Sequence, residues 1–349
     1  MTRIALLTCQ TSPRRIARAI AGLAMICLIA PTVARADPPA ACWSPATLAG
    51  RPDEVAKHRP GPADRVPIPA ATTMSAEGGA PGEGVVRRVA PANGRKLVAL
   101  TFDLCEGSGE VAGYDGAIVD RLRALKVPAT FFMGGRWAQS HQERAMQLLA
   151  DPLFEIGDHT YDHADLAHAD AAKISAEIAR TETVLSDLVA RVAASCPAAT
   201  LPQKTRLFRF PYGACGADGP ALVRAAGLTP IQWDVVSGDP SGVAAAPMAR
   251  GVLGSVKPGS IIVMHANGRG KHSAEALATI IPALRARGFE FVTVSDLMAA
   301  GRPVTASACF VERPGDTERY DHPPKAPAIA PAAPAAIKGA GSAPAPALK

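Results

Sequence analysis

The sequence predicts an α/β fold in which seven βα units curl into a barrel one unit short of the common eight. Two observations carry this. Short β-type apolar runs alternate with longer helical patterns between residues 96 and 300, the mark of a parallel sheet wrapped by helices. The residues with chemical potential sit directly after those runs, at strand carboxyl ends, which in a βα barrel share one face.

The expected strands are 98–102, 129–133, 154–157, 207–210, 230–235, 261–264 and 289–294. Each is a short run rich in Val, Ile, Leu and Phe, as expected for strands covered on both faces. The helical patterns that follow them are 114–125, 136–150, 169–192, 219–226, 244–256, 273–286 and 295–300. Residues 37–95 are rich in Pro, Gly and Ala and show no sustained period, so an irregular N-terminal arm is expected there. Residues 301–322 form a C-terminal extension, and 323–349 are almost entirely Ala, Pro, Gly and Lys, a tail too poor in bulky side chains to order itself.

The first 36 residues have the pattern of an export signal: Arg14, Arg15 and Arg18, an apolar run of 12 residues from Ala19 to Ala30, then Ala34-Arg35-Ala36. Arg14-Arg15 also fits a twin-arginine leader. Cleavage is expected before Asp37, and a run of 12 residues is shorter than the roughly 20 that cross a bilayer. The chain is therefore expected to be exported, periplasmic or secreted, without stable membrane insertion after cleavage. The leader also explains the charge. Of the formal +6, five positive charges belong to arginines in this segment, which contains no acid, so the remainder carries Lys+Arg 32 against Asp+Glu 31. A nearly neutral chain lacks the electrostatic basis for binding nucleic acid.

Cys9 and Cys27 lie in the leader, leaving Cys42, Cys105, Cys196, Cys215 and Cys309 in a compartment that permits disulfides. The expected pairing is Cys42–Cys309, tying the flanks, and Cys196–Cys215, closing a loop, with Cys105 free.

Asp103 ends the apolar run 97–102, where a carboxylate is costly unless it is paired or faces a site. Arg209 lies inside the apolar run 207–210, so its guanidinium calls for a carboxylate, and Asp103 is the candidate. A purely structural ion pair is the plain alternative. His159 and His163 stand four residues apart after the third strand, a spacing that on a helical turn places two imidazoles on one face and suits a divalent metal. His265 emerges from the buried run 261–264, and Asp239 is the neighbour expected to raise its pKa toward general-acid duty.

Five motifs in order, Thr101-Phe102-Asp103, His159-xxx-His163, Arg209-Phe210-Pro211-Tyr212, Trp233-Asp234 through Asp239, and Val263-Met264-His265, make residues 96–300 resemble the polysaccharide deacetylase family, also called the NodB-homology or carbohydrate esterase family 4 domain. The resemblance implies a distorted (β/α)7 barrel of the glycoside hydrolase/deacetylase type, one divalent metal ion such as zinc, and removal of N-acetyl or O-acetyl groups from a cell-wall or extracellular polysaccharide. It implies Asp103 as catalytic base, Arg209 as the residue orienting it, and His159 and His163 as metal ligands. It further implies Tyr212 as an oxyanion holder through its backbone N–H, His265 as general acid and Asp239 as its partner. Tyr212 and Trp233, with Trp137 and Tyr161, are candidates for stacking on sugar rings.

Two departures stand out. The family's Asp-Asp pair, whose second member binds metal, is here Asp103-Leu104, so the third ligand falls to Cys105, Glu106 or Asp115. Cys105 is favoured, because a residue two on from Asp103 in an extended strand points to the same side and a thiolate with two imidazoles suits zinc. Pro240 stands where the family often carries an aromatic. The rival readings are an inactive sugar-binding barrel, motivated by Leu104, and an amidohydrolase of small non-peptide C–N bonds.

Overall fold

Chain order in the computed structural model begins with α1 (Pro45–Leu48), β1 (Val85–Pro91), β2 (Leu97–Leu104), α2 (Gly116–Ala124), β3 (Ala129–Met133), α3 (Gly135–Ser140) and α4 (Gln142–Leu149). It continues with β4 (Phe154–Asp158), α5 (Ala171–Ser195), β5 (Leu207–Phe208), α6 (Gly219–Ala225), β6 (Thr229–Pro230), β7 (Val235–Val236) and α7 (Ala245–Ser255), then β8 (Ser260–His265), α8 (Ser273–Ala286), β9 (Glu290–Phe291), α9 (Val294–Ala299) and β10 (Gly301–Ala306). The structure describes residues 42–64, 66–71, 82–197, 199, 201, 206–307 and 309. The expected leader, tail and most of the C-terminal extension lie outside the described residues.

All eight residues of β2 are buried, as required of a central parallel strand covered on both faces. It pairs in parallel with β3 on one side and β8 on the other, and the sheet runs β10-β1-β8-β2-β3-β4-β5-β6. The period-2 alternation divides β2 cleanly. Val98, Leu100, Phe102 and Leu104 join Ile118, Leu122, Ile280 and other helix side chains in the outer core, whereas Leu97 and Ala99 pack inward with Ile261, Val263 and Ile231. The inner face is thus apolar at the bottom and turns polar at Thr101 and Asp103.

The result is the distorted (β/α)7 barrel expected. Several boundaries differ. The run expected as one strand at 230–235 is interrupted, β6 and β7 being two residues each. The helix expected at 136–150 breaks at His141 into α3 and α4. The arm carries more structure than its composition indicates: β1 pairs antiparallel with both β10 and β8, and Val86 bridges Ile231 beyond β6, so this strand seals the gap in the wall. Residues 50–64 of the arm lie against the loops that follow β2 and β8, where His58 and Val111 exchange two backbone hydrogen bonds. Gly113 and Gly268 are required there, because a Cβ on either would run into the carbonyl oxygen of Val55.

The disulfide expectation is corrected. Cys42 bonds Cys196 and Cys215 bonds Cys309, with Cα separations of 5.5 and 5.8 Å, while Cys105 is the free, buried thiol expected. The physical reason is where the helix and the wall end. Cys196 terminates the 25-residue α5 against the segment entering at Cys42, and Cys309 leaves β10 beside the loop following β5.

Candidate active site

The polar ends of the strands meet at one face. Asp103 Oδ1 accepts a 2.8 Å hydrogen bond from Arg209 Nη1, which also donates to Thr101 Oγ1 at 2.8 Å. Arg209 is fully buried, with its guanidinium carbon 3.9 Å from the centroid of the Phe132 ring. The ion pair expected from sequence is therefore present. Burial pushes the Asp103 carboxyl up, but Arg209, His159 and His265 outweigh it and hold the pKa below the usual carboxylate range.

The second pair is also present. His265 Nδ1 lies 3.0 Å from Asp239 Oδ1, and a carboxylate there can only accept, so Nδ1 carries the proton and Nε2 is the other ring position. Asp239 is locked by the His265 N–H at 2.7 Å and by the hydroxyls of Ser237 at 2.9 Å and Ser273 at 2.8 Å. Burial pulls the imidazole pKa down, yet Asp239 more than compensates and raises it above the ordinary value.

The third group is neutral. Among the described residues, Cys105, His159 and His163 are the cluster whose potential ligand atoms converge, all within 4.8 Å of one another. His159 Nδ1 donates to the carbonyl oxygen of Arg209 at 2.9 Å, which turns Nε2 inward, and that buried nitrogen has no hydrogen-bond partner. Burial lowers the pKa of both imidazoles, for His163 well below the ordinary value with His159 adding to it, so both present lone pairs at neutral pH. Burial, with Asp103 beside it, pushes the Cys105 thiol up to about 12. Glu106 is held by the Ala112 N–H and the Ser140 hydroxyl, Asp115 stands at the N-cap position of α2, and neither belongs to the converging cluster.

The two histidines do not share a helical turn, which corrects the geometric argument from their spacing. They flank a loop in which Thr160 and His163 take left-handed conformations, φ 64° and 56°. Asp158 stabilises that loop by accepting from the Thr160 N–H at 2.8 Å. Tyr212 is left-handed too, φ 57°, so three of the six non-glycine residues with positive φ among the described residues lie in this site, each strained by roughly 1–3 kcal/mol that the surrounding contacts must hold.

A sequence profile described as polysaccharide deacetylase matches residues 90–231. A peptidoglycan-N-acetylglucosamine deacetylase of Bacillus cereus is 31% identical over 207 residues, spanning 59% of this chain and 69% of the relative. The chain belongs to the polysaccharide deacetylase family. A chitooligosaccharide deacetylase of Bradyrhizobium sp. (strain ANU 289) is 30% identical, across 59% of this chain and 92% of its own. Among solved structures, the Bc1960 peptidoglycan N-acetylglucosamine deacetylase superposes with a TM-score of 0.52 at 27% identity, covering 61% of this chain and 93% of that one. A mutant of BA3943, a CE4 family pseudoenzyme with restored enzymatic activity, superposes with a TM-score of 0.53 at 25% identity, covering 63% and 73%.

Against that family pattern, Leu104 lies wholly in the outer core with Phe102 and Leu100, so position 104 of this deacetylase relative faces away from the site. Cys105, one step on, returns to the inner side beside Asp103. Of the four aromatics expected to stack on sugar, Trp137, Tyr161 and Trp233 are buried. Trp137 Nε1 donates to Gly113 O, Tyr161 Oη to Gln139 Oε1, and the Trp233 ring faces Arg209 at 5.3 Å, so Trp233 offers no open stacking face. Tyr212 alone is exposed, at 60%, with its ring 4.4 Å from that of His163. Sequence reasoning gave no role to Thr101, Ser237, Ser273 and Asn267. The first was accessible from alternation, since it stands two before Asp103 on the inner face; Ser237 and Asn267 lie in loops with no periodic signal, and Ser273 is the first residue of α8.

Proposed function

We propose that this chain is an exported, zinc-dependent hydrolase that removes acetyl groups from amino sugars of a cell-wall or extracellular polysaccharide. Family membership supports a hydrolase acting on polysaccharide acetyl groups. The observation that carries the finer reading is the unpartnered, buried Nε2 of His159 aimed toward Cys105 and His163, between a charged base and a charged acid. Two neutral imidazoles and a thiolate, formed as metal binding releases the Cys105 proton, are a sound donor set for zinc, and the backbone bond to His159 Nδ1 is the outer support such ligands carry.

When bound by Cys105, His159 and His163, the ion supplies Lewis acidity toward the acetyl carbonyl and the hydrolytic water. Asp103, ionised and oriented by Arg209, takes the proton of the attacking water. The Tyr212 backbone N–H would donate to the oxygen on which charge develops. His265, protonated and steadied by Asp239, delivers its proton to the leaving nitrogen as the C–N bond breaks, giving acetate and a free amine. Tyr212 presents the exposed ring on which a sugar stacks.

Export is supported by the leader pattern of residues 1–36 and by the two disulfides. No helix among the described residues is long and apolar enough to cross a membrane. The test is acetate release by the purified, zinc-loaded protein from N-acetylated chitooligosaccharides and peptidoglycan, with acetylxylan as the O-acetyl comparison. A sugar-binding barrel is the second reading, favoured by the likeness to a pseudoenzyme. Glycan binding without acetate release from any of the three would establish it instead.

A further inference from the structure

Asn267 is fully buried, two residues beyond His265 in the loop leaving β8. Its backbone is pinned, since its carbonyl oxygen accepts from the Gly113 N–H at 2.9 Å and the neighbouring Ala266 N–H donates to Asp103 O at 3.2 Å. The side chain amide then spends both of its donor hydrogens on one residue. Asn267 Nδ2 donates to Cys105 O at 2.7 Å and to Cys105 Sγ at 3.0 Å. The amide can stand only this way round, because the reverse orientation would set Oδ1 against the Cys105 carbonyl and lose the bond Oδ1 accepts from the Arg269 N–H.

A neutral, buried donor aimed at a sulfur has a specific physical effect. It cannot compete for a cation, as a carboxylate would, and it cannot add charge, as a lysine would. It fixes the direction of the sulfur lone pairs and stabilises electron density on the sulfur. From this geometry we infer that Asn267 is a positioning residue for the metal, orienting Cys105 Sγ and holding its negative charge, and that it locks the metal side of the site to the strand exit carrying the general acid. This inference rests on the proposed ligand set of Cys105, His159 and His163.

The test uses the full chain loaded with Co(II), whose charge-transfer absorption reports a thiolate ligand directly, and zinc affinity measured by chelator competition. Asn267→Leu and Asn267→Ala both lack the amide donor and add no ligand atom, and the second, being smaller, serves should the first fail to fold by circular dichroism. The expected result is a charge-transfer band in the parent protein that moves to longer wavelength in the folded variant, because an unbonded sulfur holds its electrons less tightly. Zinc affinity is expected to fall by roughly 10- to 100-fold. A variant with a lowered melting temperature but the parent's band position and zinc affinity would show that Asn267 only braces the loop, and would overturn the inference while leaving the ligand set standing. A parent protein that binds Co(II) without a thiolate band, or binds none, would remove Cys105 from the ligand set and the inference with it.

Discussion

Two groups of side chains share the candidate site at the barrel mouth, and they answer burial in opposite ways. Cys105, His159 and His163 have no counter-charge of their own strong enough to resist desolvation, so the thiol is pushed up, the imidazoles down, and all three are neutral. Asp103 and the part-buried His265 sit in the same barrel mouth, yet Arg209 holds the pKa of the first below the usual carboxylate range and Asp239 raises that of the second above its ordinary value. Partnership rather than depth decides protonation here. On the proposed function this is a division of labour: the lone-pair donors would gather a cation, and the paired groups would move protons.

The comparison can be broken most severely at the base. Asp103→Asn preserves shape and removes the proton acceptor, so turnover is expected to fall by about 10³-fold with zinc content unchanged; loss of metal in that variant would make Asp103 part of the metal group. Arg209→Met leaves the Asp103 charge buried without its partner. Denaturant unfolding is expected to show a loss of about 3 kcal/mol, and unaltered stability would mean the pair contributes nothing.

Asp239→Asn sharpens the contrast on the acid side. Because Asp239 raises the His265 pKa, its removal lowers that pKa, and the protonated acid is lost at lower pH. The alkaline limb of kcat/KM is expected to move down in pH, with a rate loss of about tenfold or more at neutral pH. A limb that stays in place would assign it to another group. The smallest effect is expected at Tyr212→Ala, outside both groups. KM for a chitooligosaccharide should rise about two- to tenfold, the equivalent of one aromatic contact, with kcat nearly retained through the backbone N–H.

The paired group was the more legible in sequence, because a charge inside an apolar run advertises its need for a partner. Arg209 within Leu207–Phe210 and Asp103 after Phe102 called for each other, and the structure joins them. Cys105 was legible by strand alternation. What the sequence concealed depends on contacts between distant segments. The disulfides join residues separated by 154 and 94 positions, and nothing local distinguishes their pairing from the alternatives. β1 has only seven residues in a Pro/Gly-rich stretch, and its partner β10 begins 210 positions later. The histidine loop was misread for a different reason, since a four-residue spacing fits a helical turn while the left-handed Thr160 and His163 depend on Asp158 and on packing around them.

The central claim is that Cys105, His159 and His163 collect a metal between the Asp103–Arg209 and His265–Asp239 pairs. Its most direct test is metal content by elemental mass spectrometry on the purified protein after zinc reconstitution, with Cys105→Ser and His159→Ala alongside. About one zinc per chain, reduced in both variants, is the predicted result. A parent protein that holds no zinc, or variants that hold as much as the parent, would contradict the assignment of this site.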